Sequence, residues 1–193
     1  MKNAWWIAVV AAVFGLAGLL AAQQTSAASQ PTGKAFLKKA AEINLAEVEM
    51  GKLAEQKGNN QAVKDFGKRM VDDHTKAQDQ LEQIAKREGV ILPTQPGAEA
   101  NSLHQQLSGL SGAQFDQMYI QHMLSGHKGA IGIFENEIEH GRSAAIKGYA
   151  EATLPVIQDH IRIAEDVAGK MGLAGRNGLS APGKAITASG TPK

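Results

Sequence analysis

The sequence has 193 residues, with 20 lysines and arginines against 19 aspartates and glutamates, and it contains no cysteine. This near balance of charge offers no basic surface for nucleic acid, so we expect no nucleic-acid partner. The lack of cysteine excludes disulfides, thiolate metal sites and a lipid-modified cysteine after a leader. A chain of this length is expected to form one ordinary domain besides its terminal segments.

The first segment, residues 1–28, has the pattern of a Sec-type signal peptide. A lysine precedes an apolar run over 5–22, and small residues follow at 25–28. This pattern predicts cleavage after Ala27 or Ala28. The apolar run is also near the lower limit of about 18 residues for an uncleaved membrane anchor. In either case we expect the domain outside the cytoplasm, in the periplasm or cell envelope, with the leader as its membrane contact if it has one.

The second segment, residues 29–172, is predicted to be helical throughout, because apolar residues recur every three or four positions and strand alternation is absent. Capping residues bracket four helices, and each helix stops before a glycine. The predicted helices run from Thr32 to Lys57, from Asn60 to Glu88, from Ser111 to His140, and from Ser143 to Met171. Ser111 and Gln114 have the spacing of a capping box at the start of the third helix.

The lengths of the connections predict the topology. Only two or three residues link the first helix to the second and the third to the fourth, so each pair is expected to be an antiparallel hairpin. The middle connection, residues 89–110, is long enough for a crossover and includes a short amphipathic piece over 100–107. The predicted fold is therefore all-α, an antiparallel four-helix bundle with a crossover between helices two and three. Residues 173–193 are glycine-rich and aperiodic, which predicts a disordered tail.

A polar residue of the type that binds metals interrupts the apolar stripe of each predicted helix. A projection at about 100° per residue turns these four residues inward, and helix lengths place them within about one and a half turns of one height. One carboxylate and three imidazoles at one level are typical of metal sites in helical bundles. The predicted ligands of a single zinc, iron, manganese or copper ion are Glu47, His74, His127 and His160.

The sequence also resembles a known family. The runs AAEINLAEVEMGKLAEQKGNNQAVKDFGKRMVDDHTKAQDQLEQIAKREGVILP, LSGLSGAQFDQMYIQHMLSGHKGAIGIFENEI and LPVIQDHIRIAED resemble the bacterial exported family of domain of unknown function 4142. The resemblance covers residues 34–171 and implies a ferritin-like fold, but it implies no activity. Its most recognisable positions are Glu47, Asp73, His74, Tyr119, His127, Glu135, Leu154, Pro155 and His160. Over one helix, FDQMYIQHMLSGHKGAI also resembles a neighbouring exported His/Met family associated with copper.

Two interpretations of the polar layer, formed by Glu47, His74, His127 and His160, remain open. The di-iron centre of ferritins presents Glu-x-x-His on two helices, but here Val71 and Ile157 occupy the glutamate positions. A ferroxidase centre is therefore not expected, and a mononuclear site fits better. The alternative is a metal-free buried Glu–His network, which by itself can specify a bundle. In that case the protein would be a non-catalytic envelope or stress-related structural bundle.

The methionines and the known catalytic motifs give less information about the function. Three methionines lie one helical turn from the polar layer, and we expect them to fill the core, although thioether ligation would favour copper(I). These are Met50, Met70 and Met123. No hydrolase triad, phosphate loop or nucleotide fingerprint is present in the sequence. The sequence therefore predicts no reaction, substrate or protein partner, and it leaves open whether the protein is an enzyme.

The leader gives the first testable prediction. Mass spectrometry of the exported protein should show a chain that begins at Ala28 or Ser29, because small residues at the cleavage positions suit signal peptidase. Recovery of the full-length chain from the soluble cytoplasm of the native host would contradict export.

Overall fold

The computed structural model describes residues 33–173, and within this range it contains helices and no strand. The helices are α1 (Gly33–Lys57), α2 (Gln61–Glu88), α3 (Ala98–Ser108), α4 (Gly112–His140) and α5 (Ala144–Lys170). The all-α prediction is confirmed. The four long helices begin and end within one residue of their predicted bounds, and α3 contains the amphipathic piece predicted over 100–107. The predicted leader, and the predicted tail after its first residue, lie outside the described residues.

The starts of the helices follow their capping residues in part. The side chain of Asn60 accepts a hydrogen bond from the backbone N–H of Ala62 at 2.9 Å, as expected of an N-cap. The capping box predicted at Ser111 is wrong, because the Ser111 side chain makes no capping hydrogen bond. Gly112 follows with φ of 59°, outside right-handed helical geometry, so the serine does not present its hydroxyl to the first turn.

Two helices end at a glycine in the left-handed conformation. Gly89 and Gly172 have φ of 63° and 68°, which a residue with a side chain rarely adopts. After Gly172 the backbone N–H of Leu173 bonds to the carbonyl of Ala168 at 2.9 Å, the long bond of a Schellman motif. Leu173, the first residue of the predicted tail, is buried against the core. The end of α5 is therefore fixed by both hydrogen bonding and packing.

The helices contact one another around a closed circuit. α1 packs extensively on α2 and α4 on α5, while α2 also contacts α5 and α1 contacts α4. The turn between α1 and α2 is held by Asp116 of α4, whose carboxylate accepts the backbone N–H groups of Asn59 and Asn60 at 2.9 and 2.8 Å. At the other end, Ser143 donates to Glu88 at 2.6 Å and joins the start of α5 to the end of α2. None of the described helices is both long and apolar enough to cross a membrane.

Two apolar clusters make up the core. The turn-side cluster, near the α1–α2 turn, is built around Met50, Phe66, Met70, Phe115, Tyr119 and Met123. The far cluster is built around Phe36, Leu37, Leu81, Phe134, Tyr149 and Ile157. Each fully buried side chain of this kind contributes about 1.5–3 kcal/mol. On each long helix the predicted polar residue falls between the segments that supply the two clusters, so a polar layer separates them.

The helix pair with the most extensive contact is α1 with α2, and its spacing depends on two glycines. A Cβ atom on Gly67 would lie 2.7 Å from the Cβ of Ala54 and 2.8 Å from the carbonyl oxygen of Gly51. A Cβ on Gly51 would lie 2.6 Å from the carbonyl oxygen of Gly67. Backbone atoms cannot move aside as a side chain can, so the two helices can approach this closely only without side chains at these positions.

This contact predicts opposite effects for two glycine-to-alanine substitutions. Gly67→Ala should lower the free energy of unfolding by about 1–3 kcal/mol, because the helices must separate. Gly148→Ala, at an exposed site of α5 where a Cβ meets no atom within 4 Å, should raise it by up to about 1 kcal/mol. Chemical denaturation of both variants checks the pair, and equal or reversed effects would contradict the close packing.

Candidate metal centre

All four predicted ligands are buried at the level between the two clusters. Glu47 is 8 % exposed, His74 4 %, His127 3 % and His160 1 %. The three histidines come together from α2, α4 and α5, and one ring nitrogen of each lies within 4.8 Å of the corresponding nitrogen of the others. Their ring centroids are 5.2–5.8 Å apart. The structure therefore forms a three-histidine group that could hold a metal ion.

The outward nitrogen of two of these rings faces an oxygen that can only accept. His127 Nδ1 lies 2.8 Å from the backbone oxygen of Met123, one turn earlier on α4. His160 Nε2 lies 3.0 Å from Oδ2 of Asp73, which also accepts from Arg69 Nε at 2.6 Å. In neutral imidazoles these two nitrogens must therefore carry the hydrogen.

The third ring, His74, is oriented through a side-chain amide. Its Nδ1 lies 3.0 Å from Oδ1 of Asn44. The amide nitrogen of Asn44 donates to the hydroxyl of Tyr149 at 3.2 Å and to Oε1 of Gln78 at 3.4 Å, and in this orientation the amide oxygen faces His74. His74 Nδ1 is thus a donor as well, and its Nε2 is buried without a hydrogen-bond partner.

When all three rings are neutral, the three remaining ring nitrogens carry no hydrogen, and the histidines bring one nitrogen each within 4.8 Å of the others. His127 Nε2 and His160 Nδ1 are 3.2 Å apart, yet in their neutral forms each presents a lone pair to the other. Ligand nitrogens on a zinc ion, at about 2.0–2.1 Å from it, stand about 3.3 Å apart in a tetrahedral site. The outer hydrogen bonds thus set the ring orientations in the way that such bonds do around bound metals.

Glu47 lies beside this group rather than within it. Its Oε1 is 4.0 Å from Nδ1 of His127, on the outward side of that ring. Its Oε2 is buried and has no hydrogen-bond partner. The hydroxyl of Tyr119 is also buried without a partner. Glu47 is therefore adjacent to the histidines and free to bind something else.

Burial governs the ionisation of the layer. It lowers the pKa of His74 well below its ordinary value, and the neighbouring histidines lower it further. It also lowers the pKa of His160 to about 4, although the hydrogen bond to Asp73 acts in the opposite direction. For Asp73 burial raises the pKa, but the hydrogen bonds from His160 and Arg69 outweigh it and bring the pKa below normal. Burial raises the pKa of Glu47, partly offset by His127.

A cleft of about 320 Å³ reaches this layer from the side, between α1 and α4. Its inner wall includes Glu47, His74 and His127, and its other polar lining residues include His122. His122 is half-buried, consistent with its position at the edge of the inward face of α4. The start of α3 contributes residues 97, 99 and 100 to the outer wall.

Sequence reasoning overlooked one residue of the layer and left the role of another unassigned. On α1 the helical spacing of apolar residues places Ile43 on the inward stripe, but Asn44 is the buried residue and Ile43 is half-buried. Asn44 stands three residues before Glu47 and four after Ala40, a helical spacing that could have identified it. Asp73 appeared as a family position only, because its role depends on the approach of α5 to α2.

Comparison with known proteins identifies the family and supports the fold. The chain matches the model of DUF4142, a domain of unknown function, over residues 18–167, and it belongs to that family. A DUF305 protein from Streptomyces coelicolor is similar in structure, with a TM-score of 0.62 and 14% identity, covering 75% of this chain and 96% of its own. A DUF305 fragment from Deinococcus radiodurans has a TM-score of 0.65 and 15% identity, with 72% and 97% coverage. No curated protein sequence matches.

The lowered pKa of His160 predicts that the metal-free protein loses stability in mild acid. The pKa of His160 is 6.5 in the unfolded chain and about 4 in the folded one, so the unfolded state binds the proton first. Above the pKa of the unfolded chain, His160 is neutral in both states. As the pH falls from that pKa toward the pKa of the folded chain, protonation stabilises only the unfolded state, so the free energy of unfolding decreases. At pH 5 the loss is about 2 kcal/mol.

Urea denaturation at pH 7 and pH 5 checks this. His160→Gln keeps a donor for Asp73 but does not titrate, so it should lose about 2 kcal/mol less than the wild type between these two pH values. His140→Gln, at an exposed site near the end of α4, should behave as the wild type. An equal loss in all three proteins would contradict the assignment to His160.

Proposed function

We propose that this member of the DUF4142 family is an exported protein that binds one divalent transition-metal ion in its core. In this proposal His74, His127 and His160 are the principal ligands and Glu47 supplies the fourth. The observation that carries it is the set of three inward lone pairs fixed by three outward hydrogen bonds. A cation at their centre turns a mutual repulsion into three bonds.

The fold that we propose for the domain is the predicted antiparallel four-helix bundle of ferritin-like type, with α3 in the crossover. Several contacts support it, since the α1–α2 turn lies at the start of α4 and the end of α2 lies at the start of α5. Domain bounds follow the same proposal, with a leader over 1–28, a bundle over 29–172 and a tail over 173–193. The leader pattern supports export, and the similar Streptomyces coelicolor protein is described as secreted.

Glu47 is proposed as fourth ligand because it is the carboxylate nearest to the histidines on α1. Its Oε2 has no other partner. When the ionised carboxylate binds the metal ion, its negative charge offsets part of the charge of the buried dication. The raised pKa of Glu47 shows that burial disfavours its charge without a cation nearby. Binding of the ion would remove that penalty.

The ligand set narrows the choice of metal without completing it. Three neutral imidazoles and one carboxylate suit zinc, iron(II), manganese and copper(II). The chain contains no cysteine for a softer site. All three nearby methionines, Met50, Met70 and Met123, are fully buried in the turn-side cluster. Their packing agrees with the role of core fillers.

The second candidate is the metal-free Glu–His network, and one distance favours it. The 3.2 Å between His127 Nε2 and His160 Nδ1 is also a hydrogen-bond distance if one of the two rings is protonated. The layer would then carry one shared proton and serve only to specify the packing of the helices. The two candidates differ in whether the purified protein holds a stoichiometric ion.

The proposal predicts that His74→Ala abolishes metal binding and leaves the helices folded. Without His74 the remaining ligands are two histidines and Glu47, and Glu47 lies on the outward side of the His127 ring, so the variant lacks three donors that converge on one ion. Isothermal titration of metal-free protein with zinc(II) at neutral pH should show one site per chain in the wild type and none in the variant. Circular dichroism checks that the variant remains helical.

His104→Ala is the matched control. His104 lies half-buried on α3 and does not line the cleft, so this variant should bind zinc as the wild type does. The protein should be purified without a histidine tag, since a tag binds zinc itself. A wild type that binds no ion more tightly than a surface histidine does would favour the metal-free network instead.

A further inference from the structure

The three-histidine group is enclosed on most sides, so an ion must reach it by a defined path. His74, His127 and His160 are each at most 4 % exposed. Of these, His74 and His127 also line the cleft between α1 and α4. The cleft is therefore an opening that reaches two of the three histidines.

The residues on the way inward are themselves of the kind that bind cations. A Cβ atom on Gly126 would lie 3.8 Å from Nε2 of His122 and 4.0 Å from Oε1 of Glu47. The imidazole and the carboxylate therefore both lie within 4.0 Å of one point, next to a residue that has no side chain. The side chain of Glu47 is 10% exposed and its Oε2 has no partner, so it can accept an incoming cation without breaking a hydrogen bond.

The mouth of the cleft adds acidic residues. Glu42 of α1 and Glu99 of α3 line it, together with Lys39. Lys39 forms an ion pair with Glu42 at 3.5 Å. Glu99 is then the carboxylate at the mouth that forms no ion pair with a lysine or arginine of residues 33–173. Carboxylates at an opening raise the local concentration of cations.

The cleft stays open because α4 presents glycine along it. Gly126 and Gly129 both line the cleft, and a Cβ on Gly129 would meet no atom within 4 Å. A larger side chain at 129 would therefore extend into the opening rather than into a packed neighbour. The same arrangement permits a substitution that fills the cleft without disturbing the core.

We propose that the α1–α4 cleft is the entry route for the metal ion, and that His122 and Glu47 form a transit site that the ion occupies before it reaches the three histidines. This inference rests on the proposed function. It gives His122 a role in the rate of loading but none in the final site, while Glu47 contributes to both.

The experiment measures how fast cobalt(II) loads into the metal-free exported protein, by stopped-flow absorption, and how fast it leaves into excess chelator. Gly129→Leu should slow both rates at least about ten-fold, since a route used for entry is also used for exit. The equilibrium affinity should stay within about two-fold of the wild type for the same reason. His122→Ala should slow loading by about three-fold or more through loss of the transit ligand.

Matched controls separate blockage from changes in the helix. Gly148→Leu makes the same substitution at an exposed site of α5 away from the cleft, and His104→Ala removes a histidine from α3 that does not line it. Both should load at the wild-type rate. Thermal unfolding of Gly129→Leu establishes that the variant is folded, and His122→Ala supplies a second test at a half-buried site.

The outcomes separate the two proposals. If the wild type binds no cobalt(II), the proposed function and the route both fail. If the wild type binds but Gly129→Leu and His122→Ala load at its rate, the route fails while the metal site stands. Slower loading and release with unchanged affinity in these variants, and wild-type rates in the controls, support the route.

Discussion

The organisation of the molecule depends on three outward hydrogen bonds made by three buried imidazoles. Met123, Asp73 and Asn44 each offer an oxygen to one ring. Each bond fixes which nitrogen carries the hydrogen and turns the other nitrogen inward. Because those inward nitrogens repel one another unless a cation or a shared proton joins them, the layer is incomplete as a purely packed core. Its position follows from the helices that supply the rings.

The apolar clusters on either side offset the free-energy cost of burying this polar layer. The turn-side and far clusters bury aromatic and aliphatic side chains from all four long helices. An imidazole in place of one such side chain forgoes burial worth about 1.5–3 kcal/mol. Contacts with Asn44 and Asp73 recover part of this loss, because satisfied buried polar groups cost much less than unsatisfied ones. Two unpartnered atoms of the layer, Oε2 of Glu47 and Nε2 of His74, belong to residues that line the cleft.

Packing around the layer is uneven, and the unevenness has a function in our proposals. Gly51 and Gly67 bring the backbones of α1 and α2 so close that a Cβ would collide. Between α1 and α4, which contact each other much less than α1 and α2 do, Gly126 and Gly129 of α4 line an open cleft. Glycine thus permits close backbone contact between one helix pair and leaves space beside the other. The α1–α2 contact is closed, and the α1–α4 cleft leads to the histidines.

The sequence by itself determined the all-α class, the bounds of the long helices and the inward phase of Glu47, His74, His127 and His160. These follow from periodicity and capping, which are local properties of the chain. Only the tertiary structure decided which nitrogen each ring turns inward, and that Glu47 stands beside the group rather than within it. Asp73 meets His160 across 87 positions of sequence, and Asn44 meets His74 across 30. Such pairings depend on how the helices pack and rotate against one another, and helical periodicity carries no information about that.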